Sequence, residues 1–399
     1  MATPEVLFNP FLPEFHADPY PFYRRLREQD PVHQTPMGFW VLTRYEDCVT
    51  ALRDPRFGRE EFQQMLAAVY GGEESDRLPR SMLFRDPPDH TRLRALVSKA
   101  FTPRVIEQMR GHIQEIVDRL LEPAQRQGGM DVIEDLAYPL PVTVICEMLG
   151  VPVDDHASIR GWSADIARSL DAIGLPSHQS IVDRGRVARR ALADYFRALV
   201  PGRRARPQAD LLSGLLAVEE QGDKLTEPEV IAMCLLLFIA GHETTVNLIG
   251  NGTLALLRHP DQVARLRAGP ALIGNAIEEL LRYDSPVQRT ARITTTDVEI
   301  AGRPIAKGAM VVTALGAANR DPAQFPDPDR LDVTRRDVRH ISFGHGIHFC
   351  LGAPLARVEG RIALGTLLRR APGLGLAEPS LEWRESSVLR GLKRLRVTF

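Results

Sequence analysis

The sequence predicts a mainly α-helical chain with a minor antiparallel β portion, and three observations carry that expectation. Apolar residues recur at three- and four-residue intervals over six segments, the pattern of one buried helix face. One of those segments, Thr226 to Arg258, is long enough to cross a whole domain. Strand-like runs are few and short, and no alternation of strand and helix appears along the chain.

Taken in order, Phe39–Thr43 reads as a short strand. Leu93–Phe101, Val105–Leu121 and Ile181–Leu199 read as helices, and the basic, proline-flanked stretch Pro201–Pro207 as a surface loop after them. The long helix opens on a capping box, Thr226 with Glu229, and tolerates Pro228 in its first turn. It should stop near His259-Pro260, because proline disfavours helix in the residue before it. At 1.5 Å per residue it spans on the order of 50 Å, and its apolar centre must be buried. Pro270–Tyr283 and Pro354–Arg370 complete the helices. Val298–Ile300, a turn at Ala301-Gly302 and Met310–Val312 suggest a small antiparallel sheet, and Leu381–Phe399 a terminal hairpin. No Ser/Gly linker or repeat divides the chain, so residues 1–399 are expected to form a single domain.

Fifty basic against 51 acidic side chains leave a net charge of −1, and 44% of residues are hydrophobic, which is ordinary globular usage. No charge excess is available to displace counterions from a nucleic acid, so that class of partner is excluded. Met1–Pro21 is interrupted by prolines and acids and does not read as a signal peptide. The longest apolar run, Val230–Gly241, is too short to span a bilayer and reads as buried helix. Cys48, Cys146, Cys234 and Cys350 are too scattered for a disulfide framework, so a cytoplasmic protein free of membrane contact is expected.

Three segments carry chemistry. In Phe343-Gly344-His345-Gly346-Ile347-His348-Phe349-Cys350-Leu351-Gly352, closely spaced glycines are costly unless the backbone needs positive φ or close approach. Cys350 falls just before a helix, where the dipole and free N–H groups favour a thiolate, the form that ligates a metal. An inert buried cysteine, or a zinc site with His345 and His348, are the competing readings. Ala240-Gly241-His242-Glu243-Thr244-Thr245 places an acid and hydroxyls inside an apolar helix. Thr244 can bond back to the carbonyl of Ala240, while Ala240 and Gly241 leave room for a flat ligand. The competing reading is a helix emerging at the surface. Glu279 and Arg282 share a helix face and can pair, as on many solvated helices.

In that order the three segments resemble the cytochrome P-450 family, the haem-thiolate monooxygenases. Similar stretches occur at Asp86–Arg94, at Arg292 and at Ala318–Pro322, so the resemblance covers nearly the whole chain. It implies a triangular-prism-like fold with haem b between the long helix and the helix that follows the cysteine loop. Cys350 would be the axial ligand of the iron, with Phe343, Gly346 and Gly352 shaping its loop. His90, Arg94, Arg292 and His348 would receive the haem propionates, and Glu279–Arg282 would be a buried structural pair. Glu243 and Thr244 would deliver protons to dioxygen, the co-substrate. The pocket would be lined by Leu236, Ile239, Ala240, Gln288, Arg289, Thr290, Val388 and Leu389, with residues 65–83 as a lid and 169–180 as a turn above it. That lining suits a medium-to-large hydrophobic molecule. Electrons would come from a separate ferredoxin and ferredoxin reductase, docking on Arg92, Lys99, Arg104, Arg357 and Arg361, and the chain is expected to act as a monomer. A peroxide-driven peroxygenase, a haem sensor without turnover and a cysteine hydrolase are the alternatives.

Overall fold

The helix Glu227–Leu257 is the axis about which the other elements pack. The computed structural model describes residues 8–62, 64, 81–169, 179–220 and 222–399. The capping box forms as expected: Glu229 Oε2 accepts from the Thr226 N–H at 2.8 Å, and the Glu229 N–H donates to Thr226 Oγ1. The last turn ends three residues before Pro260. This helix is long and apolar enough to cross a membrane, yet 67% of its apolar window lies inside the fold, so its apolarity is that of a core helix.

Among the helices that pack against it are Pro139–Met148, Gln179–Ala205, Ile273–Tyr283 and Ala353–Arg370. Contact with Ala353–Arg370 is close because small residues face each other. A Cβ on Gly360 would lie 3.1 Å from Leu248 Cδ2, and one on Gly252 the same distance from Leu364 Cδ1.

The remaining predicted helices are found with shifted ends. The expected Val105–Leu121 helix is two, Pro103–Gln108 and Arg110–Gln127, joined at Met109. Asp89–Ala100 precedes them and carries His90 and Arg94, two of the four residues expected to meet the propionates. The expected loop at Pro201–Pro207 is a correction. The helix Gln179–Ala205 runs through Pro201, because proline in a last turn forfeits only one hydrogen bond near an end that frays anyway.

A five-stranded sheet runs Val32–Gln34, Trp40–Leu42, Met310–Thr313, Thr290–Thr294 and Phe57–Gly58. Its pairs are antiparallel except Met310–Thr313 with Trp40–Leu42, which is parallel. The expected partner of Val298–Ile300 was Met310–Val312; its actual partner is Arg303–Ile305. Ala301 and Gly302 both take positive φ, 48° and 79°, and so close a tight hairpin at once, freeing Met310 to pair with Ile293. At the C-terminus, Trp383 bridges Leu392, but Arg396–Thr398 leaves to pair with Gly375–Leu376 and Gly129–Asp131.

Glu279 and Arg282 lie in the core rather than on a solvated face. Arg282 is fully buried, meets Glu279 through two hydrogen bonds of 2.7 and 2.8 Å, and donates to the carbonyls of Asn319, Pro328 and Arg330. Glu279 also accepts from the Asp332 N–H and from Arg335. The pair thereby fixes the long irregular segment that leads to the cysteine loop.

Candidate functional site

That segment enters the loop through Asn319, whose amide donates to Ser342 Oγ at 2.8 Å and accepts from the Ile341 N–H at 2.8 Å. Gly344 and Gly346 take φ of 73° and 69°, and a Cβ on Gly346 would sit 2.5 Å from the Leu52 carbonyl oxygen. The Cys350 N–H donates to the Phe343 carbonyl at 2.9 Å, closing the loop two residues before the N-cap Gly352 of the helix Ala353–Arg370. Burial pushes the Cys350 thiol up; the N–H groups of Gly352 and Ala353 and the charge of Arg94 act against it. The helix-terminal N–H groups and Arg94 thus favour the thiolate, and burial opposes it.

Such a site is also prepared for anions. His90 and His348 stack with ring centroids 4.3 Å apart, and both nitrogens of His90 and Nε2 of His348 are buried without a partner. Burial, then Arg292 and its neighbouring cations, hold His348 down to about 2, so it is neutral. Arg94 and Arg292 face the same space, and no carboxylate among the described residues forms an ion pair with either. A buried and a half-buried cation with orphaned imidazole nitrogens, and no ion-paired carboxylate among the described residues, fit the two carboxylates of a haem.

Across the cavity, Leu236, Ala240, Gly241, Thr244 and Thr245 of the long helix form the opposite wall. Thr244 Oγ1 donates to the Ala240 carbonyl at 3.0 Å, the back-bond expected from the sequence. His242 and Glu243 are buried, so the helix does not emerge at the surface here. His242 bonds the Phe238 carbonyl and Ser163 Oγ, each at 2.7 Å. Glu243 does not line the cavity; it meets Arg384 at 2.7 Å. Burial alone would raise its carboxyl, but His242 and Arg384 hold it down at about 2.

The two walls enclose one continuous cavity of about 600 Å³, large enough for a prosthetic group and a substrate together. Of the predicted pocket residues, Leu236, Ala240, Arg289, Thr290 and Val388 line it. Ile239, Gln288 and Leu389 do not. Ile239 lies off the Leu236–Ala240–Thr244 stripe and packs on the core. Gln288 is buried, donating to the Ser285 carbonyl at 2.8 Å, and Leu389 turns back to Ser386 Oγ and bridges Val287. Residues 65–80 of the expected lid and 170–178 of the expected turn lie outside the described residues; Met82–Phe84 form a 3-10 turn against the cavity.

Two groups escaped the sequence reading. Glu359 is buried with both oxygens unpartnered, and burial pushes it up to about 8, with Thr245 acting against this. An acid inside the buried stretch Val358–Gly360 was the available signal. Arg59 also reaches the cavity, from the end of the strand Phe57–Gly58. In the expected docking patch, Arg92 is bound by Asp223 and Glu229, and Arg357 by Glu278 through two 2.8 Å hydrogen bonds. Their charges are spent, because Glu278 and Glu229 fold back onto them. Lys99 and Arg104 are exposed, as are Ile347 and Phe349 of the cysteine loop.

The comparisons agree with this geometry. The Cytochrome P450 family model matches residues 32–269 and 271–371. The polyketide biosynthesis cytochrome P450 PksS of Bacillus subtilis is 40% identical, over 99% of both chains. The vitamin D(3) 25-hydroxylase of Pseudonocardia autotrophica is 45% identical, over 96% of this chain and 94% of its own. The crystal structure of the myxobacterial cytochrome P450 CYP267B1 in complex with myristic acid is 44% identical, covers 98% of each chain and superposes with a TM-score of 0.89. With its cavity set between a glycine-bound cysteine and a threonine-bearing helix, the chain belongs to the cytochrome P450 family and is a haem-dependent monooxygenase.

Proposed function

We propose that this enzyme inserts one oxygen atom of O₂ into a medium-to-large hydrophobic small molecule of the polyketide, secosteroid or fatty-acyl kind, with electrons from a separate ferredoxin and its reductase. The single observation that carries this reading is the one cavity that joins Cys350, the unpaired cations and Thr244 to a largely apolar lining. The haem supplies dioxygen binding and activation. Cys350 would hold its iron through the sulfur, His90, Arg94, Arg292 and His348 would hold its carboxylates, and Ala240 and Gly241 would leave room for it beside the long helix.

Thr244 Oγ1, anchored on the Ala240 carbonyl, presents its hydroxyl to the cavity and orders the donor that protonates the oxygen substrate. Glu243, ionised against Arg384 outside the cavity wall, links that hydroxyl to solvent. Glu359, protonated at neutral pH, stands beside Thr245 as a second internal proton source. Leu236 and Val388 position the apolar substrate, while Arg289 and Thr290 offer polar contacts. The ferredoxin docks on the face of Lys99 and Arg104 around Ile347 and Phe349. The four cysteines are all free, which suits a reducing cytoplasm. The whole chain acts as one haem-binding unit.

Spin-state shifts of the ferric haem across a panel of macrolides, secosteroids and fatty acids test the substrate class. Turnover with ferredoxin, reductase and NAD(P)H then tests the reaction. Hydroxylated product formed only with the complete electron-transfer system is expected; product formed with peroxide alone and not with that system would overturn the oxygen-dependent reading.

A further inference from the structure

The strand pairing Phe57↔Thr294 and Gly58↔Ile293, carried one residue further, sets Arg59 across from Arg292. The two guanidiniums share a station: Nη1 of each donates to Thr290 Oγ1 at 3.2 Å and to the Ala291 carbonyl at 2.9 Å. Like charges directly opposite each other across a sheet repel, and do so more strongly away from water. Burial, with this repulsion behind it, holds Arg292 well below its usual range, and burial holds Arg59 at about 10.

Among the described residues, no carboxylate forms an ion pair with either guanidinium. The charge of Asp86 acts on both, but its oxygens accept from the backbone N–H groups of Arg59 and Glu60 at 2.9 to 3.1 Å. Arg59 Nε donates to the Leu83 carbonyl at 3.2 Å, and the Phe62 and Phe84 rings lie 5.9 and 5.5 Å from its Cζ. Its Nη2 has no acceptor among the described residues, and the residue lines the cavity.

Arg94 and Arg292, the two arginines at positions matched to the family's propionate residues, line the same cavity as Arg59, together with His90 and His348.

We propose that Arg59 is a haem-propionate residue, gripping with Arg292 the same carboxylate from the opposite strand, and is not an anchor for substrate. The inference rests on the haem reading of the cavity and adds to it a cation that lies outside the family motifs. A planar guanidinium suits the task because its fork can serve a carboxylate and the Thr290–Ala291 station together.

The test uses the haem-loaded full chain with Arg59→Gln and Arg59→Lys, read by haem transfer to excess apomyoglobin and by the ferric/ferrous midpoint potential. Arg59→Gln is expected to release haem about tenfold faster, the loss of one charge-assisted contact. Its potential should fall, because a positive charge near the carboxylates favours the more negative ferrous state. Arg59→Lys should restore the potential but only part of the haem retention. If Arg59→Gln folds without haem, the Lys variant decides by the same two readouts. Haem loss and potential equal to wild type in both variants would overturn the proposal. So would unchanged haem properties with weaker binding of dodecanoate but not of dodecanol, which would make Arg59 a substrate anchor. A wild-type chain that takes up no haem would instead sink the haem reading itself.

Discussion

Arg384 holds Glu243 in a 2.7 Å ion pair outside the cavity wall, while the next residue, Thr244, faces the cavity. The helical step between adjacent residues, about 100°, thus sets an ionised carboxylate outside the wall and a hydroxyl inside it. The pair also carries a pH signature. The Glu243 carboxyl is depressed from its ordinary value near 4.5 to about 2, so its contribution to stability is present above pH 4.5 and is lost as the pH falls towards 2. Replacing Arg384 by Leu should cost about 1–3 kcal/mol at pH 7, since it strands a buried carboxylate. Urea titrations at pH 7 and pH 3 check this: the penalty should shrink at pH 3, and an equal penalty at both would refute it.

Thr244→Ala should leave stability within about 1 kcal/mol, because the lost hydrogen bond is a helix back-bond that does little for the helix. Its effect should fall on coupling. Peroxide released per NAD(P)H consumed should rise severalfold while substrate affinity changes little. Unchanged coupling would remove Thr244 from the proton path.

Glu359 should show the opposite pH sign. Its pKa is raised from about 4.5 to about 8, so the protonated folded state loses stability as the pH rises through that window. On the order of 3–5 kcal/mol separates the two ends. Glu359→Gln should therefore stabilise the protein more at pH 8 than at pH 5 in denaturant titrations. An equal gain at both pH values would show that the carboxyl is not held protonated.

Glu279→Ala would leave Arg282 buried and uncompensated, at a cost of about 3–5 kcal/mol. Because the pair anchors the segment leading to the cysteine loop, thermal melts should show the loss together with weaker haem retention. A variant with wild-type stability would contradict the pair's structural role.

Charge reversal at Arg104, exposed on a helix that packs against Ala353–Arg370, should slow reduction by ferredoxin more at low salt than at high salt. Arg357→Gln should leave that salt dependence unchanged, since Glu278 already neutralises Arg357. Stopped-flow reduction at two ionic strengths separates the two.

How much of this was legible in the sequence follows from the range of the interactions. The capping box at Thr226, the Thr244 back-bond and the turn at Ala301-Gly302 are local, and residue type with spacing revealed all three. The partners of Met310–Thr313 and of Glu243 come from elements distant in the chain, and no periodicity points to them. Ile239 shows the limit of analogy: one position along a helix turns a side chain from cavity to core. The burial of Glu279 and Arg282 was likewise invisible to spacing, because an i, i+3 pair looks the same on a solvated face. Arg59 was hidden because nothing near it in the sequence marks a cavity; only strand register places it beside Arg292.

The central claim is that Cys350 presents a thiolate to a haem held between its loop and the Thr244 helix. The absorption spectrum of the reduced, CO-bound protein tests it most directly, recorded for the wild type and for Cys350→His. A strongly red-shifted Soret band in the wild type that is lost in the variant is the predicted result; a wild-type protein without haem, or a band indifferent to Cys350, would contradict it.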